Sequence, residues 1–307
     1  MDLRHLRYFV VLAEELHFGR AAARLGISQP PLSQQIRALE QELGAALLER
    51  TSRRAKLTEA GRLFLHEAEK TLAQAEHARE VARRAQRGEL GEFNIAFTPS
   101  APLTARFRRI IQAFRSAHPD VHLTLQELGT RQQIEALTEG GLQIGFLRTP
   151  GERPAASGAL TVKAIDREEL MAVLHSDHPM AQGDPNGRIP LASLAHDPFV
   201  VLPRQSGESP YDQVIMCCRD AGFNPKLRQE AREAVTLLGL VAGGIGVTLL
   251  ASSFQPILFE GVVMRRLTKP PIAATWLAHH KDDGSPITRG FLKIAAAQAG
   301  SGRRSKL

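Results

Sequence analysis

The sequence of 307 residues predicts an all-α amino-terminal part followed by a larger α/β part. Three observations lead to this prediction. Residues 18–57 show the pattern of two short helices and a basic hairpin, residues 58–87 contain no proline, and from residue 90 strand-like and helical segments alternate. A stretch without helix breakers favours one long helix, and strands that alternate with helices are typical of a sheet covered on both faces.

Two helices joined by a tight turn are predicted between residues 18 and 43. Gly26 can adopt the left-handed conformation that ends the first helix, and Ser28 can cap the amides of the second. Pro30 and Pro31 fall in the first turn of that helix, where a missing amide hydrogen costs little. Apolar residues recur every three or four positions, the spacing of helices that bury one face: Ala21, Ala22, Leu25, Ile27, Leu32, Ile36, Leu39 and Leu43.

The second helix has a polar outer face at its amino end. Subtracting the buried positions leaves Gln29, Pro30, Ser33, Gln34 and Arg37. In a helix-turn-helix this end of the second helix enters the DNA major groove. Glutamines can pair with adenine edges and prolines can lie against thymine methyl groups, whereas Ser33, Arg37 and the helix amino end suit phosphates.

A basic hairpin follows the helix pair. Arg50, Arg53, Arg54 and Lys56 lie within seven residues, and arginines at a hairpin tip fit a narrow minor groove with its enhanced negative potential. A solvated surface turn is the alternative interpretation of such a charge run. Because the run follows directly on a capped helix pair, we predict a winged helix-turn-helix in residues 1–57.

Four motifs of the sequence resemble those of the LysR-type transcriptional regulators. They are Met1-Asp-Leu-Arg-His-Leu-Arg-Tyr-Phe, Ala21-Ala-Ala-Arg-Leu, Ser28-Gln-Pro-Pro-Leu-Ser and Leu57-Thr-Glu-Ala-Gly. The similarity runs to about residue 295 and implies a bacterial regulator that binds double-stranded promoter DNA, contacts RNA polymerase and responds to a small effector. The residues expected to contact DNA are Arg4, Arg20, Ser28, Gln29, Pro30, Pro31, Ser33, Gln34, Arg37, Arg50, Arg53 and Arg54.

Composition permits nucleic-acid binding, but by itself it does not distinguish a DNA-binding protein from other proteins. The net charge of the chain is +7, yet residues 1–56 hold nine Arg or Lys against six Asp or Glu, a net +3. A positive balance is compatible with a DNA partner. The prediction of DNA binding therefore depends on where the charges lie and not on their total.

The sequence carries no signature of an enzyme or of a membrane protein. It lacks a Gly-x-Ser-x-Gly elbow, a phosphate-binding loop and the Rossmann glycine spacing. It has no apolar run of about 18 residues, and the adjacent Cys217 and Cys218 lack disulfide or metal-ligand spacing. We expect no catalytic residue, metal, cofactor or membrane partner, and a cytoplasmic location. A ligand-independent architectural DNA-binding protein and an enzyme that uses an α/β cleft are the alternatives.

One long helix is predicted over residues 58–87, and its apolar residues recur at coiled-coil spacing. A stripe of this length with no adjacent domain needs a partner, and a second copy of the chain is the symmetric solution. Packing on the protein's own body is the alternative. In the LysR family this segment is the linker helix, so the resemblance implies a dimer and a dimer of dimers. The stripe consists of Leu65, Ala68, Leu72, Ala75 and Ala82, with Arg79 interrupting it.

Residues 90–299 are predicted to form two α/β lobes with a mostly parallel sheet. Such lobes resemble the periplasmic-binding-protein-like effector domain of the LysR family, in which the chain crosses between lobes twice. That architecture assigns about 90–163 and 269–299 to the first lobe, about 164–268 to the second, and 300–307 to a disordered tail. The main strand candidates are Glu92–Phe97, Val121–Glu127, Leu142–Leu147, Leu170–Leu174, Phe199–Leu202, Gly246–Leu250, Val262–Leu267 and Ile272–Ala278.

Loops at strand ends supply the residues predicted to bind an effector. Ligands of such sheets bind outside the carboxyl ends of strands, where helix amino ends offer unpaired amides. Ser100 and Thr130 match ligand-contacting positions of the benzoate- and muconate-responsive branch, with helix capping as their alternative role. Arg148 and Arg204 can pair with an effector carboxylate or form surface ion pairs. The site expected for a small carboxylate, an aromatic acid or a muconate, is Thr98, Ser100, Gly129, Thr130, Arg148, Leu202, Pro203, Arg204 and Gln205.

Overall fold

The structure is a computed structural model that describes residues 1–50, 55–150, 153–155, 158–184, 186–204 and 210–300. The predicted DNA contacts Arg53 and Arg54, the predicted effector residue Gln205 and residues 301–307 of the predicted tail lie outside these ranges. The chain divides into two compact units, Met1–Gln86 and a second unit that begins at Arg87.

The first unit contains the predicted helix pair and hairpin. One core joins its helices, and Phe9, Leu12, Leu32, Ile36 and Leu39 are fully buried in it. Gly26 ends the first helix of the predicted pair with φ +68°, as expected for a left-handed cap. The elements are α1 (Leu3–Glu15), α2 (Phe18–Leu25), α3 (Gln29–Leu43), β1 (Leu48–Arg50), β2 (Ala55–Leu57) and α4 (Glu59–Gln86).

The first turn of α4 packs tightly against the hairpin. Strands β1 and β2 pair antiparallel from Leu48 opposite Leu57 to Arg50 opposite Ala55. Gly61 is buried in α4, and a Cβ built on it would lie 2.1 Å from the carbonyl oxygen of Leu47. Only a residue without a side chain fits here, because that oxygen belongs to the backbone and cannot move aside.

Helix α4 packs on its own domain along its first half only. Phe64, Leu65, Ala68 and Leu72 join the core of the first unit, and the rings of Phe64 and Phe9 lie 5.3 Å apart. The alternative interpretation of the apolar stripe therefore holds for this half. Along the second half Ala75 is half-buried, whereas Val81 and Ala82 are exposed within the single chain.

The second unit alternates strands and helices as predicted. Its first half contains β3 (Gly91–Phe97), α5 (Ala105–Ala117), β4 (Val121–Glu127), α6 (Thr130–Thr138), β5 (Ile144–Thr149) and β6 (Leu160–His175). Its second half contains β7 (Arg188–Ile189), β8 (Pro198–Val201), α7 (Pro210–Asp220), β9 (Lys226–Glu230), α8 (Ala234–Ala242), β10 (Thr248–Ala251), β11 (Val262–Leu267), β12 (Ile272–His280) and α9 (Pro286–Gly300).

The main sheet is mixed, so the expectation of a mostly parallel sheet is wrong. Strand β3 pairs parallel with β4 and β5, and β11 pairs parallel with β7. The pairs β12 with β5, β12 with β6, β11 with β6 and β10 with β6 are antiparallel. The reason is that the chain crosses from one lobe to the other along β6 and returns along the segment from β11 to β12, and a returning chain runs in the opposite direction.

The crossing point lies within β6. This strand pairs with β12 up to Glu169 and with β10 and β11 from Leu170 onwards. The first lobe, lobe 1, has a core around Phe93, Phe114 and Phe146, and the second, lobe 2, has a core around Phe199 and Leu238. The strand pairing thus puts the first crossing a few residues beyond the expected position of about 163.

Several elements carry no clear apolar pattern in the sequence. Strand β9 is exposed along its whole length, and β7 has only two residues. The first part of β6 is rich in charged residues, among them Lys163, Asp166 and Glu168, so only its apolar end at Leu170–Leu174 is predicted from the sequence. Helix α9 extends to Gly300, the first residue of the predicted tail.

We predict that Gly61→Ala destabilises the first unit by about 1–3 kcal/mol, because the added methyl group must displace backbone at Leu47. Thermal denaturation followed by circular dichroism measures the effect. The matched control is Ala60→Ser, at an exposed position of the same helical turn, which should stay within about 0.5 kcal/mol of the wild type. Equal stability of the two variants would show that the helix does not press on the hairpin.

Candidate DNA-binding surface and effector site

The amino end of α3 presents the residues that the sequence predicts for the major groove. Gln29, Pro30, Gln34 and Arg37 are exposed, and Ser33 is half-buried. The opposite side of the helix carries Leu32, Ile36 and Leu39, which are buried in the core. The packing of α3 therefore orients its polar face outwards, the arrangement that groove insertion requires.

Ser28 occupies the cap position of α3 but its side chain makes no capping hydrogen bond. The expected cap is wrong for a simple reason. A cap side chain accepts from the amide of the second or third helical residue, and in α3 these residues are Pro30 and Pro31, which have no amide hydrogen. The Ser28 hydroxyl is exposed and is not consumed by the helix.

The two prolines also limit how the helix amino end can bind phosphate. A helix start normally leaves four backbone amides unpaired, and proline removes two of them in α3. Fewer amides can therefore donate to phosphate here than at an ordinary helix start. The side chains of Ser28, Ser33 and Arg37 have a correspondingly larger part in any phosphate contact.

Two predicted DNA contacts are held by acidic neighbours. The Arg20 guanidinium Nε lies 3.1 Å from Oε2 of Glu15, and a terminal nitrogen of Arg4 lies 3.5 Å from Oδ2 of Asp2. Both arginines are more than half exposed, so these pairs are weak and can be exchanged for a phosphate.

Two histidines that sequence reasoning missed support the helices of the predicted helix-turn-helix. His17 caps α2, where its Nδ1 accepts from the amides of Gly19 at 3.1 Å and Arg20 at 3.3 Å. His5 Nε2 lies 2.7 Å from Oε1 of Gln35 and so links α1 to α3. The position of His17 directly before a helix was the one available signal for its role.

The hairpin residues of the predicted wing are described only in part. Arg50 is the last residue of β1, and Lys56 in β2 is exposed, 4.0 Å from the carboxylate of Glu49. The tip that connects the strands, with Arg53 and Arg54, lies outside the described residues. Contact between the wing and the minor groove thus stays a prediction from the sequence.

The predicted effector loops lie at the carboxyl ends of β3 and β4. Ser100 is half-buried and makes no capping hydrogen bond. Thr130 is the first residue of α6, and its hydroxyl donates to the carbonyl oxygen of Arg148 at 2.9 Å. Neither side chain therefore acts as a helix cap, which removes the alternative role for both residues.

The Thr130 hydroxyl is already engaged. It also accepts from the backbone amide of Arg148 at 3.1 Å, so one lone pair is all that it retains for a ligand. The amide of Gly129 likewise donates to Oε1 of Gln132 at 3.0 Å. Thr130 therefore positions Arg148 and cannot donate a hydrogen bond to a carboxylate in this arrangement.

Arg148 lies in the interior of the second unit. Its Nη1 is 2.9 Å from Oε2 of Glu168, and the side chains of the two residues are only 12% and 10% exposed. The expectation of a surface ion pair is wrong for this residue. Its Nη2 is buried and finds no hydrogen-bond partner among the described residues, as is also true of the Thr98 hydroxyl.

The loop after β8 offers fewer groups that could bind an effector. Arg204 is 73% exposed and pairs with Asp212 at 3.1 Å, so the surface ion pair is the arrangement observed. Leu202 packs against the core of lobe 2, so the polar groups that it can offer a ligand are those of its backbone. Pro203 has no amide hydrogen to donate.

A second carboxyl group lies on β6 two residues before Glu168. Burial raises the pKa of Asp166, the nearby Glu168 raises it further, and Arg106 and Arg148 partly oppose these effects. Two acidic and two basic side chains therefore share this part of lobe 1. Their charges balance, so attraction of an anion here depends on hydrogen-bond donors such as Nη2 of Arg148.

The two cysteines of α7 are buried, and burial raises the pKa of each thiol to about 12. A thiol that stays protonated is a poor nucleophile and a poor metal ligand. Within the described part of the chain no group of three or more potential metal ligands comes together. The described helices include none that is both long and apolar enough to span a lipid bilayer.

Two family models match the chain. Residues 86–300 match the LysR substrate binding domain, and residues 3–62 match the bacterial regulatory helix-turn-helix protein, lysR family. The chain belongs to the LysR family of transcriptional regulators. It is a DNA-binding transcription regulator with an effector-binding domain, and the predicted fold class is confirmed.

Known relatives cover almost the whole chain. The uncharacterised HTH-type transcriptional regulator YnfL of Escherichia coli (strain K12) is 43% identical over 300 residues, covering 95% of this chain and 96% of YnfL. AlsR of Bacillus subtilis (strain 168) is 36% identical, covering 97% of this chain and 96% of AlsR. Full-length CbnR in complex with its target DNA has a TM-score of 0.82 at 27% identity, covering 97% of this chain and 100% of CbnR. Because these relatives are transcription regulators, the enzyme alternative is discarded.

We predict that replacing Asp166 by Asn changes how stability depends on pH. The unfolded chain ionises Asp166 near its ordinary pKa, whereas the folded protein does so at higher pH, so the wild type loses stability as the pH rises through this window. The Asn side chain does not ionise. The melting temperature of Asp166→Asn minus that of the wild type should therefore increase from pH 4 towards pH 7.

The control for this measurement is Ser193→Ala, because Ser193 is exposed in the same unit and its hydroxyl does not ionise between pH 4 and pH 7. Its melting temperature should stay parallel to that of the wild type across the same pH range. A constant difference for Asp166→Asn as well would mean that Asp166 has the same pKa in the folded and unfolded states.

Proposed function

We propose that this regulator reads operator DNA with the amino end of α3 and is controlled by a small anionic effector bound between its two lobes. The effector class is an aromatic acid or a muconate-like dicarboxylate. The observation that carries the effector part is Nη2 of Arg148, which is buried and has no hydrogen-bond partner in the part of the chain that the structure describes. The Thr130 hydroxyl binds the backbone of the same arginine. A buried donor without a partner costs about 1–3 kcal/mol, and an effector carboxylate would satisfy it.

The DNA part of the proposal follows from the surface of α3. Gln29 and Gln34 are exposed at the end of the helix that enters a major groove in this motif. Arg37 and the hydroxyls of Ser28 and Ser33 are placed for phosphates. Arg4, Arg20, Arg50, Arg53 and Arg54 complete the proposed contact surface.

Self-association is proposed to occur through the exposed half of α4. Ala82, the last residue of the predicted apolar stripe, and its neighbour Val81 are exposed beyond the part that packs on α1. A second α4 would cover them and set two recognition helices about one DNA turn apart. Two such dimers, bound to promoter DNA beside RNA polymerase, would form the regulatory assembly.

The effector would act by shifting an equilibrium between two arrangements of that assembly. A ligand can do this only if it binds the two arrangements with different affinity. The two lobes provide such a difference, because a molecule bound between them contacts both only in one relative orientation. DNA bending and transcription would change with that orientation.

We predict that Arg37→Ala and Gln29→Ala weaken DNA binding in different ways. Loss of the Arg37 charge should weaken binding to every duplex and reduce the slope of log K against log salt by about 1. Loss of the Gln29 amide should cost about 1–3 kcal/mol on a duplex obtained by selection from random sequences, and little on random DNA. Fluorescence anisotropy at several salt concentrations measures both effects.

Gln41→Ala is the matched control, because Gln41 is exposed near the opposite end of the same helix. It should bind both kinds of duplex like the wild type. If Gln29→Ala weakened binding to selected and random duplexes equally, the assignment of Gln29 to a base would be wrong.

We predict that benzoate or cis,cis-muconate raises the melting temperature of the full chain, because a ligand that binds only the folded state stabilises it. At about a hundred times the dissociation constant the gain is about 2.7 kcal/mol. Ser100→Ala should reduce the shift, since its hydroxyl is not used as a cap. Differential scanning fluorimetry over a concentration series measures it.

The control is Ser193→Ala, because the Ser193 hydroxyl bonds to the carbonyl oxygen of Pro190 on the surface of lobe 2. It should respond to ligand like the wild type. If neither compound changed the melting temperature, the proposed effector class would be refuted. The proposal of DNA binding would not be affected. Unchanged DNA binding and bending across a wider panel of carboxylates would favour a ligand-independent architectural role.

A further inference from the structure

One carboxylate joins the two lobes directly. Glu168 lies on β6 just before the crossing point between the lobes. Its Oε2 accepts from Nη1 of Arg148 in lobe 1 at 2.9 Å, and its Oε1 accepts from the backbone amide of Ser253 at 3.0 Å. Ser253 belongs to lobe 2, in the short 3-10 helix Ser252–Ile257 that follows β10.

The same carboxylate completes a chain of hydrogen bonds that starts at the proposed effector site. The Thr130 hydroxyl holds both backbone groups of Arg148, the Arg148 side chain holds Glu168, and Glu168 holds the amide of Ser253. Four residues thus connect the effector loop of lobe 1 with the backbone of lobe 2. Arg148 is the member of these four residues that has a further donor, since its Nη2 has no hydrogen-bond partner among the residues that the structure describes.

The charges around Glu168 make this connection sensitive to an added anion. Asp166 and Glu168 face Arg106 and Arg148, so the set has no net charge. A further carboxylate at Nη2 would compete with Glu168 for the Arg148 guanidinium. It would also repel the Glu168 carboxylate. Charge-assisted hydrogen bonds are about twice as strong as neutral ones. The bond from Arg148 to Glu168 therefore weakens substantially when a second carboxylate shares the guanidinium.

We propose that Glu168 is a positioning residue that couples the occupancy of Arg148 to the attachment of lobe 2. This proposal rests on the proposed effector site. When Arg148 binds an effector carboxylate, its hold on Glu168 weakens, and the Glu168 carboxylate no longer fixes the amide of Ser253. Glu168 therefore links the two lobes and also competes with the effector for Arg148.

Hydrogen exchange of the full chain tests the link from Arg148 through Glu168 to Ser253 without any ligand. Mass spectrometry of the peptide that contains Ser253 compares the wild type with Glu168→Gln, Arg148→Met and the double variant. We expect exchange about fivefold faster in each single variant. Glu168→Gln removes the charge of the carboxylate that accepts from Ser253, and Arg148→Met leaves Glu168 without its anchor. The double variant should exchange no faster than Glu168→Gln, since both changes break the same chain of bonds.

The neighbouring residue supplies the matched control. Glu169 forms an ion pair with Arg188 at 3.5 Å, and both side chains are more than a third exposed. Glu169→Gln should leave the Ser253 peptide unchanged. Exchange in β11 must stay slow in every variant, which shows that lobe 2 is folded. Wild-type exchange of the Ser253 peptide in Arg148→Met would overturn the proposal.

A binding measurement tests the competition. Titration with cis,cis-muconate and with benzoate should show about tenfold tighter binding to Glu168→Gln than to the wild type, whereas Glu169→Gln should bind like the wild type. Equal or weaker binding to Glu168→Gln would refute the competition. If neither compound binds the wild type or Glu168→Gln, the proposed effector class fails, and the exchange experiment alone decides whether Arg148 and lobe 2 are coupled.

Discussion

Strand β6 runs through both lobes of the second unit, because it bonds to β12 in one lobe and to β10 and β11 in the other. At roughly 3.3 Å per residue its 16 residues span about 50 Å. The return of the chain through β11 and β12 makes the middle of the sheet antiparallel. Residues near the crossing point, above all Glu168, therefore touch both lobes.

In the first unit the backbone chemistry of α3 sets what its surface can do. Two prolines begin the helix at little cost, but they also remove the amides that a cap side chain or a phosphate would use. The proposed recognition of DNA by this helix therefore depends more on side chains than it would in a helix with free amides. Leu32, Ile36 and Leu39 keep those side chains outward, because the core fixes the rotation of the helix about its axis.

Much of the fold and part of the site could be predicted from local patterns. The helix pair, the hairpin, the long helix and the alternation of strands with helices all follow from spacing, caps and breakers. The exposed face of α3 follows by subtraction of its apolar positions. The charged half of β6 and the exposed strand β9 could not be predicted in this way, because backbone pairing with neighbours rather than burial of an apolar face makes them strands.

The sequence by itself determined the family, the two kinds of domain and which residues of α3 face outwards, since these depend on residues close together in the chain. The tertiary structure alone decided the partners of the charged residues. Arg148 and Glu168 are 20 positions apart and Ser253 is 85 positions beyond Glu168, so no local pattern pairs them. Whether an arginine is buried with a carboxylate, as Arg148 is, or exposed beside one, as Arg204 is, depends on which strands meet at that place.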